Sequence, residues 1–329
     1  MRKGMKSSQH TIAESSTSPS SRASSVMLGR QDYISATLRL TGMELYKIRR
    51  RLMSKVLSFI SILSTVSLFG LIALAAFLMA KNGTPPEAIQ RFSEALRLPG
   101  SLSLVVQLLL TLGQILIIIL VSTIVGGEHT DKTVRLMLTR GPTRTQFLLS
   151  KIGAAIACTL LGVAGITLLG ILVGSIFSFT TGIAPTFDFF STNWLAHAVL
   201  YLLIAILGLF TYAMMALFLS TLGRSTAAGM VGVLTWSFLI EPAISVIALL
   251  GKSISGPLGS FFQSLPDYLI GSNISNLLSN QDPYIFPTPT GSHVAPQLSN
   301  IHSLLVLCIY LVVFIGVALW VNMRRDVLI

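Results

Sequence analysis

Long apolar runs dominate the pattern of hydrophobic and polar positions along this chain, and six of them are long enough to cross a bilayer. A membrane-spanning helix needs about 20 consecutive apolar residues, because the hydrocarbon core is about 30 Å thick. The six runs are residues 55–80, 103–125, 152–179, 194–220, 227–250 and 303–321. The pattern therefore predicts an all-α integral membrane protein with six transmembrane helices.

Two further segments precede the first run. Residues 1–28 are rich in Ser and Thr and show no hydrophobic periodicity, which is typical of a disordered tail. Residues 29–54 place apolar side chains along one side and end in a basic cluster, so we predict an amphipathic helix in the membrane interface. The basic cluster would also serve simply as a flank that orients the first span. Residues 55–329 are expected to form the transmembrane domain.

Composition and small residues agree with a membrane protein. Only 11% of the 329 residues are charged, whereas a soluble domain has about 25%. Inside the third run, Gly170 and Gly174 have a spacing that lets another helix approach closely. Cys158 and Cys308 both lie inside apolar runs, so we interpret them as packing residues rather than as a disulfide or a metal-binding pair.

The placement of charge predicts the orientation. With the N-terminus in the cytoplasm, all but four of the 23 Lys and Arg residues fall in cytoplasmic segments. The four on the outer side are Lys81, Arg91, Arg97 and Lys252. Because cytoplasmic loops are enriched in Lys and Arg, we expect both termini and the segment 126–151 in the cytoplasm. The net charge of +11 follows this topology and indicates no nucleic-acid partner.

The segment 126–151 is a charged interval between two runs. Its sequence, GGEHTDKTVRLMLTRGPTRTQFLLSK, begins with acidic residues and acquires cations later, an order that favours a short helix from Glu128 to Leu138. Gly141 and Pro142 then predict a turn, and Thr143 is predicted to cap the helix that returns to the membrane. We therefore expect a helix–turn–helix structure on the cytoplasmic face.

The last outer segment, residues 251–302, is far longer than a turn requires. Its first half is apolar enough to lie against the membrane or against the outer mouth of the bundle, and its second half is a Pro-rich, neutral loop. Loops of this length in compact proteins are usually functional or disordered. The fold class thus includes a long last extracellular loop.

Enzymatic chemistry is not indicated. A phosphate-binding loop needs glycines and a Lys-Ser/Thr pair at fixed spacing. Gly251-Lys252-Ser253 ends like such a loop, but Val246 occupies the position of its first glycine. The sequence has no His, Cys and carboxylate cluster with metal-ligand spacing either. We expect that this chain is not an enzyme and holds no cofactor or metal.

Three polar residues inside the runs are candidates for a transport pathway, namely Gln107, Gln114 and Glu241. Gln114 lies in the middle of its run and is interpreted as an interhelical hydrogen-bond partner. Glu241 has two interpretations. It is a proton or cation site, because ionisable residues are costly within a membrane. Alternatively, and preferably, Pro242 marks the outer end of a shorter span and leaves Glu241 at the headgroup level.

Motifs distributed over the chain resemble one family of membrane proteins. In the segment 126–151 they are Gly127-Glu128, Thr133, Leu136 to Leu138, Pro142, Thr143-Arg144 and Lys151. The stretches ELYKIRRR (residues 44–51) and FFQSLPDYLI (residues 261–270) extend the similarity. Together these motifs resemble the permease subunit of type-2 ABC exporters. The chain departs from that pattern at Lys132 and Ser150, where glycine is common in the family.

The resemblance implies a half-transporter that exports substrate across a prokaryotic plasma membrane with ATP hydrolysed by a separate ATPase subunit. ATP and Mg²⁺ would bind that partner. A second permease copy would complete a homo- or heterodimer, and the substrate pathway would run between the two copies, lined by their second and fifth spans. The residues that it implies for ATPase coupling are Gly127, Glu128, Thr133, Val134, Leu138, Pro142 and Arg144. Glu44, Lys47 and Arg50 would belong to a cytoplasmic connecting helix.

Two alternative functions stay open. The first is a non-transporting mechanotransmitter or scaffold that couples to an ATPase and contacts another partner through its outer loop. The second is a secondary transporter in which Glu241 carries protons. An ATPase with a phosphate-binding loop in the neighbouring reading frame would favour the permease and the mechanotransmitter over the secondary transporter.

Overall fold

Helices are the regular elements of the protein in its computed structural model. The structure describes residues 19–83, 85, 92, 94–130, 143–180, 190–254, 256–286 and 298–324. Within these ranges the backbone forms helices joined by short turns, and no strand occurs. The predicted all-α class is therefore confirmed.

Six of the described helices are long and apolar enough to cross a membrane, so the protein is a multi-pass membrane protein. Every predicted run lies inside one of them, and the prediction of six spans is confirmed. We number them in chain order as spans 1 to 6: Leu52–Lys81, Gly100–Gly127, Arg144–Phe179, Thr192–Gly223, Thr226–Gly251 and Asn300–Arg324. The helices extend beyond the apolar runs because backbone hydrogen bonding continues into the polar flanks.

Span 4 is the central helix of the bundle. It contacts spans 2, 3, 5 and 6. In its most apolar stretch of 18 residues 61% of the residues are buried, whereas the corresponding share in span 5 is 17%. Small side chains on span 4, such as Ala205, Ala213 and Ala216, are fully buried and let neighbouring helices approach. Spans 1, 3 and 5 expose apolar side chains along their outer faces, as lipid-facing helices do.

The glycine pair in span 3 marks a close helix crossing. A Cβ atom at Gly170 would collide with Val105 of span 2, and one at Gly174 would lie 2.5 Å from the carbonyl oxygen of Leu96. The prediction that this spacing admits a neighbouring helix is therefore confirmed. Phe69 of span 1, which is fully buried, packs over both glycines.

The N-terminal helix Pro19–Arg50 precedes span 1 and packs along span 3. It begins at Pro19 instead of at residue 29, so residues 19–28 are helical rather than part of the predicted disordered tail. Residues 1–18 of that tail lie outside the described residues. Thr37, Glu44 and Ile48 face the bundle, while Ile34 and Leu38 are exposed. The helix thus has distinct faces, and its position in the membrane interface stays a prediction.

The segment between spans 5 and 6 folds back over one end of the bundle. It contains the helices Pro257–Ser264, Ile270–Ser279 and Asp282–Ile285 and a 3₁₀ turn at Leu265–Tyr268. We call Ile270–Ser279 the amphipathic helix. Its apolar side is buried against spans 4 and 6, which accounts for the apolar first half of the predicted outer loop.

Span 5 continues past Pro242, so the interpretation of Pro242 as the end of a shorter span is wrong. The helix runs on through Glu241–Gly251, and Glu241 lies about 15 Å from the end at Gly251, at 1.5 Å per residue. Proline lacks an amide proton and its ring clashes with the carbonyl of the preceding turn. A π-helical turn at Trp236–Ile240 widens the helix there and accommodates the ring.

Candidate functional site

A buried charged cluster joins the N-terminal helix to spans 2 and 3. We call it the charged junction and define it as Glu44, Lys47, Arg51 and Lys151. Lys151 is only 2% exposed; its Nζ donates to the carbonyl oxygen of Ile124 at 2.8 Å and lies 4.0 Å from Glu44 Oε2. Lys47 Nζ donates to the other oxygen of Glu44 at 2.9 Å. Three separate elements therefore meet through one carboxylate and two ammonium groups.

Both cations that contact span 2 bind backbone carbonyls near its end. Arg51 Nη1 donates to the carbonyl oxygen of Thr123 at 3.3 Å, next to the carbonyl that Lys151 binds. Each backbone carbonyl oxygen has a second lone pair beside the one used in the helix, and a side-chain donor can occupy it. The Lys151 ammonium also lies 4.8 Å from the centre of the Phe147 ring. A buried lysine is tolerated only with such partners, which fixes the junction in one geometry.

The helix of span 3 begins with a reciprocal cap. Thr143 Oγ1 accepts from the amide of Gln146 at 3.3 Å, and Gln146 Oε1 accepts from the amide of Thr143 at 3.0 Å. This is the capping-box arrangement, which satisfies two amides that have no partner within the helix. The prediction that Thr143 caps the returning helix is confirmed.

The ends of spans 2 and 3 also contact the other spans at this end of the bundle, which we call the basic end. Gly126 has no room for a side chain, because a Cβ atom there would collide with the backbone of Ser225 and Thr226 in the turn between spans 4 and 5. Asn322 of span 6 donates to the carbonyl oxygen of Arg144 at 2.8 Å. Both borders of the segment 131–142 are thus held by neighbouring helices.

The structure describes only part of the predicted coupling set. Gly127 lies at the end of span 2 beside Arg51, and Arg144 begins span 3. Glu128 falls in the last turn of the helix Gln114–Thr130. The remaining predicted residues lie outside the described residues: Thr133, Val134, Leu138 and Pro142. Their part in ATPase coupling stays a prediction.

Of the predicted connecting-helix residues, Glu44 and Lys47 belong to the charged junction, whereas Arg50 does not. The Arg50 guanidinium lies 5.0 Å from the centre of the Tyr46 ring on the exposed side. The sequence pattern does not predict that Lys151 is buried. The signal that was available is its position at the start of an apolar run, where it has no adjacent acidic residue.

A second polar cluster lies in the interior, and we call it the Glu241 cluster. Glu241 Oε1 accepts from Trp236 Nε1 at 2.8 Å, and Oε2 accepts from the amide of Gly271 at 3.1 Å. The Tyr212 hydroxyl donates to the carboxylate at 3.1 and 3.2 Å. Every one of these partners is a donor, so they satisfy a carboxylate. The carboxylate therefore links spans 4 and 5 to the amphipathic helix by hydrogen bonds, and it does not form an open coordination site.

The three candidate pathway residues do not form one group. Gln114 Nε2 donates to Ser237 Oγ of span 5 at 2.8 Å, so its prediction as an interhelical hydrogen-bond partner is confirmed. Gln107 is exposed and bonds only weakly within its own span, to Ser103 Oγ at 3.4 Å. Among the described side chains no cluster suits a metal ion.

The fold and these two clusters define a multi-pass helical membrane protein with a charged junction at one end and a buried carboxylate tie within the bundle. The chain belongs to the family described as protein of unknown function DUF2705, whose model matches residues 68–328. The match begins inside span 1 and includes Lys151 and Glu241, while Glu44 and the N-terminal helix precede it. A comparison with curated proteins found no match.

Proposed function

We propose that this protein is the membrane-spanning permease subunit of an ATP-binding-cassette transporter that exports substrate with ATP hydrolysed by a separate ATPase. The observation that carries the proposal is the charged junction. It joins spans 2 and 3, the two helices that flank the segment 131–142, to the N-terminal helix, so a force on that segment would move the three helices together.

The energetics of the junction support this role. A buried ion pair is weak evidence for stability, because the desolvation of both charges offsets most of their attraction. An apolar contact would join the same helices at lower cost. Charges anchored on backbone carbonyls instead define one relative position of the three elements, and that is what a rigid lever requires. The contact of Asn322 with the carbonyl of Arg144 extends the same connection to span 6.

The orientation follows from the distribution of cations. The basic end carries the N-terminal helix, the segment 131–142 and the C-terminal end of span 6. With the enrichment of Lys and Arg on the cytoplasmic side, this end faces the cytoplasm of a prokaryotic plasma membrane, where ATP is available. A partner ATPase would dock on residues 128–138, and a second permease copy would complete the pathway beside spans 2 and 5.

The Glu241 cluster supports a permease or mechanotransmitter rather than a secondary transporter. A residue that carries protons must exchange them with water during the cycle. Glu241 is 8% exposed and its oxygens accept from a tyrosine, a tryptophan and a backbone amide. These contacts favour a structural tie over a proton carrier.

A cross-linking experiment tests the coupling. An ABC ATPase encoded beside this chain, which the proposal expects to exist, is co-expressed with the full chain, in which Cys158 and Cys308 are replaced by alanine and Val134 by cysteine. We expect a photoactivatable maleimide at Val134→Cys to capture the ATPase in the membrane. The matched control is Ser260→Cys, an exposed site between spans 5 and 6, which should capture none. Equal or absent capture at both sites, with the ATPase folded and present, would contradict the proposal.

The orientation has its own test. A membrane-impermeant maleimide applied to intact cells is expected to label Ser299→Cys, which is exposed at the start of span 6. It should label Met323→Cys, which is exposed at the other end of the same span, only after the membrane is permeabilised. The reverse pattern would overturn the assignment of the basic end to the cytoplasm.

A further inference from the structure

Glu241 connects three elements that are separate in the chain. Its carboxylate accepts from Tyr212 of span 4 and from Trp236 of span 5 itself. It also accepts from the amide of Gly271, which lies in the first turn of the amphipathic helix. Amides in the first turn of a helix have no partner within that helix. The Glu241 carboxylate therefore supplies a hydrogen-bond acceptor for an amide that has no acceptor within the amphipathic helix.

Gly271 is required for this contact. A Cβ atom at this position would lie 2.5 Å from Glu241 Oε2 and 3.3 Å from the Tyr212 hydroxyl. A side chain here would displace either the Glu241 carboxylate or the amphipathic helix, and in both cases it would disturb their hydrogen bond. Glycine in a helix otherwise lowers stability relative to alanine, so its presence here has a specific steric reason.

The other contacts of the amphipathic helix go to different spans. Ile274 packs against Gly208 of span 4, where a Cβ atom would lie 2.8 Å from the Ile274 side chain. Asn276 Nδ2 donates to Ser303 Oγ of span 6 at 3.0 Å and to the carbonyl oxygen of Leu298 at 3.1 Å. The Glu241–Gly271 hydrogen bond is thus the polar contact by which span 5 holds this helix.

A π-helical turn lies directly before Glu241. The π-helical turn Trp236–Ile240 of span 5 faces a second π-helical turn in span 2, Leu109–Gly113. Gln114, the residue directly after the turn in span 2, donates to Ser237 in the turn of span 5. A π-turn disrupts the regular hydrogen-bond ladder of a helix and occurs frequently at functional sites. Beyond the π-turn, Glu241–Gly251 packs against the helix Pro257–Ser264 and the 3₁₀ turn Leu265–Tyr268, and most of its remaining side chains are exposed.

We propose that Glu241 is a latch that joins the part of span 5 beyond the π-turn, Glu241–Gly251, to the amphipathic helix. With the latch closed, these two helices move as one body. With the latch released, span 5 bends at Trp236–Ile240 independently of the amphipathic helix, and the end of the bundle opposite the basic end loosens. This device goes beyond the proposed function, because it operates whether or not the protein exports a substrate.

Hydrogen exchange of the full chain in lipid nanodiscs tests the latch. In Glu241→Gln the NH₂ group of the glutamine replaces one of the two accepting oxygens and faces groups that are themselves donors. We therefore expect the backbone amides of residues 271–275 to exchange about tenfold faster, which is the scale of a lost charge-assisted hydrogen bond. The matched control is Glu94→Gln, the same chemical change at a carboxylate that pairs with Arg97; it should leave these amides unchanged. Equal exchange in the parent and in Glu241→Gln would overturn the latch.

A second variant and a second readout keep the test decisive. Gly271→Ala leaves the carboxylate intact but removes the space for the contact, so it should raise the same exchange rates, and unchanged rates would contradict the proposal. In a background without cysteine, spin labels at Ser245→Cys and Ser275→Cys, both exposed, should give a narrow distance distribution that Glu241→Gln broadens. A distribution of unchanged width would refute joint movement. Neither readout uses ATP or a partner subunit, so failure of the latch would leave the permease proposal standing.

Discussion

Replacement of Lys151 by methionine is expected to lower the free energy of unfolding by about 3 kcal/mol, the lower end of the range for breaking a buried ion pair. Methionine keeps the length of the side chain but removes the donor to the Ile124 carbonyl and the cation 4.0 Å from Glu44. The effect stays at the lower end because Glu44 retains Lys47. Reversible unfolding by SDS in mixed micelles measures the difference.

The same experiment needs a control and a partner variant. Arg50→Met removes an exposed cation from the same helix and should change stability by no more than about 0.5 kcal/mol. Glu44→Gln combined with Lys151→Met should be less destabilising than the sum of the two single changes, by about 1 kcal/mol or more. Strict additivity of the two changes would show that the junction does not act as a unit.

Replacement of Gly126 by alanine is expected to destabilise the protein by about 3 kcal/mol, as overpacking of a tight contact does. The added Cβ would collide with the backbone of Ser225 and Thr226. A backbone segment in a turn between two spans cannot rotate away as a flexible side chain does. Span 2 must therefore move away from the turn between spans 4 and 5, and under the proposed function we expect ATPase coupling to fall together with stability.

Gly162→Ala is the matched control for Gly126→Ala. Gly162 also lies within a transmembrane helix, but a Cβ atom there meets nothing within 4 Å. In open space the same change should stabilise the helix slightly, by about 0.5–1 kcal/mol. Similar SDS unfolding curves for the two variants would contradict the close contact at Gly126.

The spans were predictable from the sequence, since a bilayer imposes a strict local requirement. Each segment inside the hydrocarbon has to satisfy its backbone hydrogen bonds within itself, and a run of apolar residues is the direct consequence. The Thr143 cap was predictable for a similar reason, because the Thr143-x-x-Gln146 spacing brings both partners together within one helical turn. Such features depend on residues close in the chain.

Pro242 shows where local rules were insufficient. A proline within an apolar run indicates the end of a helix, and this rule favoured a shorter span 5. The π-turn at Trp236–Ile240 absorbs the proline ring instead. Span 2 stabilises this region of span 5 through the Gln114–Ser237 hydrogen bond, whose two residues are 123 positions apart in the chain. The residues around Pro242 in the sequence do not indicate that Gln114 is a partner.

The sequence by itself determined the class of protein, the number of spans and the segment 126–151 as a charged interval, because each of these is set by neighbouring residues and by the solvent they require. Only the tertiary structure decided that Lys151 is buried against Ile124 and that Glu241 reaches Gly271. These contacts join residues 27 and 30 positions apart, and they exist because of how the helices pack. Packing depends on the shapes of all the helices at once, which no single segment specifies.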